Sequence, residues 1–255
     1  MDAKRIVVKV GSSTLTGDAG TSLNGSAVTK LVDVVANLKG QGKEVIIVTS
    51  AAIAAGMAPL GLTQRPTDLA TQQASASVGQ GLLIAKYSAE FTRHNIVASQ
   101  VLVTGDDLAR DLHKENAKRT LLRLLELGVV PIINENDSVG TEEIRLGDND
   151  RLAALVLQLI GADLLVLVSD IDALYDAPPT QAGANRIAKV TNFADLADIE
   201  IGGVGSSGVG SGGMVTKIQA AEIATSSGAS MLLTDLAHVE DALAGKDVGT
   251  LFTSN

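Results

Sequence analysis

Short aliphatic runs recur along this chain, and the segments between them carry apolar residues at helical spacing. No other feature constrains the fold as strongly. Ile6-Val7-Val8-Lys9-Val10, Val45-Ile46-Ile47-Val48, residues 96–103, Val129-Val130-Pro131-Ile132-Ile133, and residues 164–168 and 230–234 read as strands. Residues 27–38, 68–91, 116–127, 150–160, 214–227 and 239–244 read as helices, the second interrupted near Gly79 and Gly81. Strands that alternate with helices imply βαβ units, right-handed crossovers and a mainly parallel sheet. The fold class is therefore α/β. Residues 249–252 read as a final edge strand, and 172–200 as an excursion or a small hairpin-bearing lobe.

Aromatic residues make up only 2% of the chain and hydrophobic residues 45%, so the core must be aliphatic. That suits a parallel sheet buried on both faces by Ala-rich helices. A net charge of −9 argues against a nucleic-acid partner, although a few lysines can still dominate a small phosphate pocket. The chain has no cysteine, hence no disulfide framework and no thiolate zinc site. His94, His113 and His238 show no metal spacing, and no metal ligands are expected. Too few apolar residues follow Lys4 and Arg5 for a secretory or membrane segment, so the chain reads as soluble and cytoplasmic, with no membrane partner.

The polar cluster Asn134-Glu135-Asn136-Asp137 follows a strand, and Gly147-Asp148-Asn149-Asp150 opens a helix. Ligands in open α/β sheets bind outside the carboxyl ends of the strands. Amides and carboxylates gathered there can grip an amine, orient a lysine or hold a cation; the plainer alternative is a turn with an Asp helix cap. Lys9 lies in an apolar strand, a costly place unless its ammonium reaches water or an anion. A snorkelling edge lysine is the alternative. Gly11 leaves space where the backbone could approach a phosphate, with Ser12 and Ser13 beside it. Ser169-Asp170, at the end of another strand, shares that crest with Lys9, Ser50 and Asn134, unless Asp170 merely forms a turn.

Gly203, Gly205 and Gly208 have the spacing of a dinucleotide fingerprint, but no helix opens directly after them. Gly208 to Gly213 reads better as a loop that delivers Lys217 to the first turn of a helix, where backbone amides bind phosphate oxygens. A flexible linker with a solvated lysine is the alternative. There is no Walker A box, no G-x-S-x-G elbow, no H-E-x-x-H and no nucleophile–base pair. Two lysines, glycine-loop amides and a nucleotide-borne magnesium ion would suit phosphoryl transfer, which needs positioning and electrostatics rather than a covalent nucleophile.

The segments Val7 to Ser13, Val48 to Gly56, Ile133 to Asp137, Gly147 to Asp150 and Gly210 to Lys217, in that order, resemble the glutamate 5-kinase family of the amino acid kinase superfamily. The resemblance covers essentially the whole chain. It implies a three-layer αβα sandwich in a single domain, 1–255, with an acceptor-binding half at about 1–160 and a nucleotide-binding half at about 161–255. It implies transfer of the γ-phosphate of ATP, with magnesium carried on the nucleotide, to the side-chain carboxylate of glutamate. Lys9, Lys217, Asp150 and Gly11 would be catalytic, Asp150 holding the lysines and the Gly11 amide supporting the moving phosphoryl group. Ser50, Ala51, Asn134, Asp137, Asp148 and Asn149 would bind glutamate. Lys9, Ser169, Asp170, Ser211, Gly212, Gly213, Met214, Val215, Thr216 and Lys217 would line the ATP site. Proline would act as feedback inhibitor, and a homodimer or homotetramer is expected. Many relatives carry a C-terminal PUA domain; this chain is expected to be a short member without one. Kinases of N-acetylglutamate or aspartate, and a non-catalytic nucleotide-binding module, are the competing readings. Many relatives read Ser-Gly-Ala where this chain reads Ser50-Ala51-Ala52. If that position needs φ > 0, the methyl group costs roughly 1 kcal/mol, and it bears on glutamate affinity rather than on the fold.

Overall fold

The computed structural model describes residues 2–17, 20–140, 149–181, 183–196 and 213–253. Its strands are β1 (Arg5–Val10), β2 (Glu44–Val48), β3 (Ala98–Val103), β4 (Val130–Glu135), β5 (Leu164–Ser169), β6 (Leu174–Tyr175), β7 (Arg186–Ile187), β8 (Lys189–Val190), β9 (Ser230–Asp235) and β10 (Thr250–Phe252). Its helices are α1 (Ser12–Leu15), α2 (Gly25–Gly40), α3 (Ala52–Met57), α4 (Leu69–Thr92), α5 (Gly105–Ala109), α6 (Asp111–Glu126), α7 (Asn149–Ile160), α8 (Met214–Ser226) and α9 (Val239–Leu243). Eight strands form one sheet in the order β3-β4-β2-β1-β5-β9-β10-β8. From β3 to β9 every pairing is parallel. The expected α/β architecture is therefore present, with helices on both faces.

Two aliphatic clusters, one on each face, bury the sheet. Along β1, Ile6, Val8 and Val10 pack with α2, α3 and α4, while Val7 packs on the opposite face with α7 and α8. β2 repeats the alternation, with Val45 and Ile47 on one side and Ile46 and Val48 on the other. This period of two decides where Lys9 goes. Two residues beyond Val7, it must face the α7/α8 side.

The structure corrects the sequence reading in three elements. β10 is not an edge strand: it lies between β9, to which it is antiparallel, and β8. In 172–200, the described residues do carry a hairpin, formed by β6 and β7. Helix α6 begins at Asp111 rather than near Asn116.

The third correction has the clearest physical cause. Helix α4 runs unbroken from Leu69 to Thr92, through both Gly79 and Gly81. A methyl group on Gly79 would lie 1.8 Å from the Ala52 carbonyl oxygen and 2.4 Å from the Gly56 nitrogen. One on Gly56 would lie 1.9 Å from the Ser75 carbonyl oxygen. These glycines let two helix backbones touch, and the packing of α4 on α3 outweighs glycine's poor helix propensity. Gly81 has nothing within 4 Å of such a methyl position. Among the described residues, no helix is long and apolar enough to cross a membrane.

Candidate active site

β1, β2, β4 and β5 are parallel neighbours, so their carboxyl ends form one crest. Chain direction from β1 leads to β2 on one side, while α7 leads to β5 on the other. A reversal of that kind opens a crevice at the crest.

Lys9 projects into it on the α7/α8 face and is 5% exposed. Its Nζ lies 2.5 Å from Asp150 Oδ1. The Nζ of Lys217 lies 3.0 Å from Asp150 Oδ2, and Lys217 is 6% exposed. Thr216 Oγ1 donates to the same oxygen at 3.3 Å. Asp150 is the second residue of α7, where the helix dipole favours a carboxylate. Lys217 is the fourth residue of α8, where the same dipole disfavours an ammonium. One carboxylate therefore faces two buried cations, one of them held against its own helix. Two ammonium groups gathered in one crevice are suited to an incoming polyanion.

A second cluster adjoins the first, because Asn149 precedes Asp150. The two N–H groups of Asn149 Nδ2 are shared among three acceptors, the Thr49 carbonyl oxygen at 2.5 Å, Ser50 Oγ at 2.9 Å and Asn134 Oδ1 at 2.9 Å. Asn134, at the end of β4, is 1% exposed; its own Nδ2 donates to Gln80 Oε1 at 2.9 Å. Thr49 Oγ1 meets the Tyr87 hydroxyl at 3.0 Å. Burial pushes the Tyr87 hydroxyl well above its ordinary pKa, with the Thr49 bond opposing, so it stays protonated. Asp137, half-buried, lies in the turn just past β4.

Other expected site residues fall as follows. Ser169 Oγ donates to Asp170 Oδ1 at 3.0 Å, at the end of β5 beside β1. Gly213 and Met214 are half-buried at the start of α8, and Val215 is exposed there. Asp148, Ser211 and Gly212 lie outside the described residues. Gly11 follows β1 directly; its N–H lies 3.4 Å from the Val168 carbonyl oxygen, in line with the β1–β5 ladder. A methyl group there would sit at ordinary contact distance, 3.5 Å, from Lys9 Nζ. Gln80, Thr49 and Tyr87 were not legible as site residues in the sequence. His94, His113 and His238 each face an aspartate: Asp33, Asp107 and Asp235.

The sequence profile of the amino acid kinase family matches residues 4–235. A glutamate 5-kinase of Streptomyces coelicolor is 57% identical over 251 residues, which cover 98% of this chain and 67% of that protein. The chain belongs to the amino acid kinase family and, within it, to the glutamate 5-kinase family. A glutamate 5-kinase of Clavibacter michiganensis subsp. michiganensis is 54% identical, with 98% of this chain and 94% of that protein covered. Among solved structures, a carbamate kinase from Giardia lamblia bound to AMP-PNP superposes with a TM-score of 0.70 at 16% identity, over 100% of this chain and 99% of that one. That likeness is one of fold.

In this glutamate 5-kinase family member the residue after Ser50 is strained. Ala51 has φ 78 and ψ 11, the left-handed conformation that a β-carbon disfavours. Replacement by glycine relieves about 1–2 kcal/mol of that strain. It also removes a buried methyl group worth about 0.8 kcal/mol, and it gives the unfolded chain about 0.5–1 kcal/mol more conformational freedom. The terms nearly cancel. Ala51→Gly is therefore expected to change the unfolding free energy by less than about 1 kcal/mol, while lowering the glutamate KM because the backbone beside Ser50 becomes accessible. A KM equal to that of the parent would show that the methyl group does not meet the acceptor.

Proposed function

We propose that this chain transfers the γ-phosphoryl group of ATP to the side-chain carboxylate of L-glutamate, giving L-glutamyl 5-phosphate and ADP, the first step of proline biosynthesis. The observation that carries this reading is the convergence of two buried lysines on Asp150, next to an amide cluster built on Asn149. A glutamate carboxylate oxygen attacks the γ-phosphorus as the bond to the β,γ-bridging oxygen breaks, and ADP leaves with that electron pair. The acceptor is already ionised at neutral pH, so no general base is required. Lys9 and Lys217 spread the negative charge of the transferring group from two sides, and Asp150 holds both ammonium groups in place. Magnesium arrives on the nucleotide phosphates. Ser169, Asp170 and the start of α8 line the nucleotide side, about 161–255; Ser50, Asn134, Asp137 and Asn149 line the acceptor side, about 1–160. Asp137 takes the free ammonium of glutamate. An acetylated nitrogen carries no charge for it to meet, which favours glutamate over N-acetylglutamate.

ADP release is measured with magnesium, ATP and each of glutamate, N-acetylglutamate and aspartate, with and without proline. Turnover on glutamate alone, suppressed by proline, is the expected result. Absence of glutamate-dependent ADP release would defeat the proposal, and ATP binding without any turnover would move the chain to a non-catalytic nucleotide-binding role.

A homodimer or homotetramer is part of this reading. Helix α4 exposes Ala74, Ser77, Val78, Gly81, Leu82 and Ala85, an uncharged stripe beside the outer strand β3. A second copy of the chain would cover that face. Light scattering that returned a monomer at assay concentration would refute it.

A further inference from the structure

Gln80 reaches the acceptor cluster from outside the strand ends and the start of α7. It lies on α4, next to Gly79, where the α4 backbone presses on α3. That contact fixes the height of Gln80 relative to Ala52 and hence to Ser50. Two turns further along the same helix, Tyr87 bonds Thr49. Helix α4 thus grips both β4 and β2 where they end in the acceptor cluster.

Hydrogen-bond polarity orients every amide in this chain of contacts. The Glu135 backbone N–H can only donate, and it meets Asn134 at 2.9 Å, so the facing atom is Oδ1. The other end of Asn134 is therefore Nδ2, and the Gln80 atom it meets must be an acceptor, Oε1. From the opposite direction, the Thr49 carbonyl can only accept, so the Asn149 atom facing it is Nδ2. That same Nδ2 meets Asn134 Oδ1, in agreement with the first assignment. Asn149 is left with its carbonyl oxygen turned away from these three acceptors, as an ammonium donor would require.

We propose that Gln80 is a positioning residue for the acceptor amino acid: it holds the Asn134 amide, and through it Asn149, in the orientation that receives glutamate. This rests on the glutamate kinase reading above. Without the Gln80 acceptor, the Asn134 NH2 is buried and unsatisfied. The side chain then rotates or admits water, and Asn149 loses one of its three acceptors. Among the described residues, Gln80 itself bonds nothing on the nucleotide side, so the larger effect falls on glutamate.

Gln80→Met keeps the length of the side chain and removes the acceptor; Gln80→Asn keeps the amide but is a methylene too short to reach. Each is expected to raise the glutamate KM and the calorimetric glutamate Kd by roughly tenfold, with a much smaller change in the ATP KM. Placed in an Asn134→Ala background, Gln80→Met should add less than about twofold, because residues that act through one another are non-additive. If Gln80→Met lowers the melting temperature too far to assay, Gln80→Asn carries the same comparison. An unchanged glutamate KM, equal losses for glutamate and ATP, or multiplicative effects with Asn134→Ala would each overturn the assignment. A parent protein that binds glutamate without turning it over, with Gln80→Met still weakening binding, would defeat the transfer reaction and leave Gln80 in its role. A parent that binds no glutamate would overturn both.

Discussion

Asp150→Asn is expected to lower kcat by about 10²–10³-fold, as the loss of a preorganised charge contact does in other active sites. Each carboxylate oxygen of Asp150 holds one ammonium, Lys9 at 2.5 Å and Lys217 at 3.0 Å, and the residue is 1% exposed. Asparagine has one acceptor oxygen and one NH2 group, so one lysine would meet a donor and be turned away. Both cations would also lose their counter-charge in a buried site. Removing one partner of a buried ion pair costs about 3–5 kcal/mol, so the nucleotide-free protein should melt at a lower temperature. The triphosphate would then supply counter-charge that Asp150 no longer provides, and ATP should raise the melting temperature more in Asp150→Asn than in the parent. A kcat within threefold of the parent, or equal protection by ATP in both proteins, would remove Asp150 from the role of lysine holder.

Gly79→Ala is expected to cost at least about 3 kcal/mol of stability, at or beyond the upper end for overpacked positions. Its new methyl group would lie 1.8 Å from the Ala52 carbonyl oxygen, and two backbones rather than a flexible side chain would have to separate. Gly81→Ala, two residues along the same helix, should instead stabilise by about 0.5–1 kcal/mol, because the site is open and alanine is the better helix former. Chemical denaturation of the two variants tests the pair. Similar effects in both would mean that the helices do not touch as described. Because Ala52 follows the Ser50-Ala51 turn, Gly79→Ala should also raise the glutamate KM more than the ATP KM.

The same two glycines show where sequence reading reached its limit. Both carry the same propensity penalty, and a local reading places a helix break at each. Nothing near Gly79 in the sequence says that Gly56 lies against it. The strands were legible because buried parallel strands are written as unbroken aliphatic runs, and β1, β2, β4 and β5 fall within two residues of where those runs stand. β10 was misplaced because three residues cannot say which neighbours they will have. Lys9 was legible as anomalous, but its direction depends on the register that puts Val7 on the α7/α8 face. Gln80 left no local trace. An uncharged residue in an Ala-rich helix has no signature until the fold brings Asn134 to it.

Asn149 and Asp150 are consecutive, yet one belongs to the amide cluster and the other to the lysine pair. A single peptide unit, with about 3.8 Å between its Cα atoms, therefore joins the two proposed substrate sites. A ligand that draws the start of α7 toward one pocket moves the other by the same step. Whatever factor glutamate then applies to ATP affinity, ATP must apply to glutamate affinity. The acceptor and the nucleotide would thus report each other's occupancy without any subunit or domain having to move.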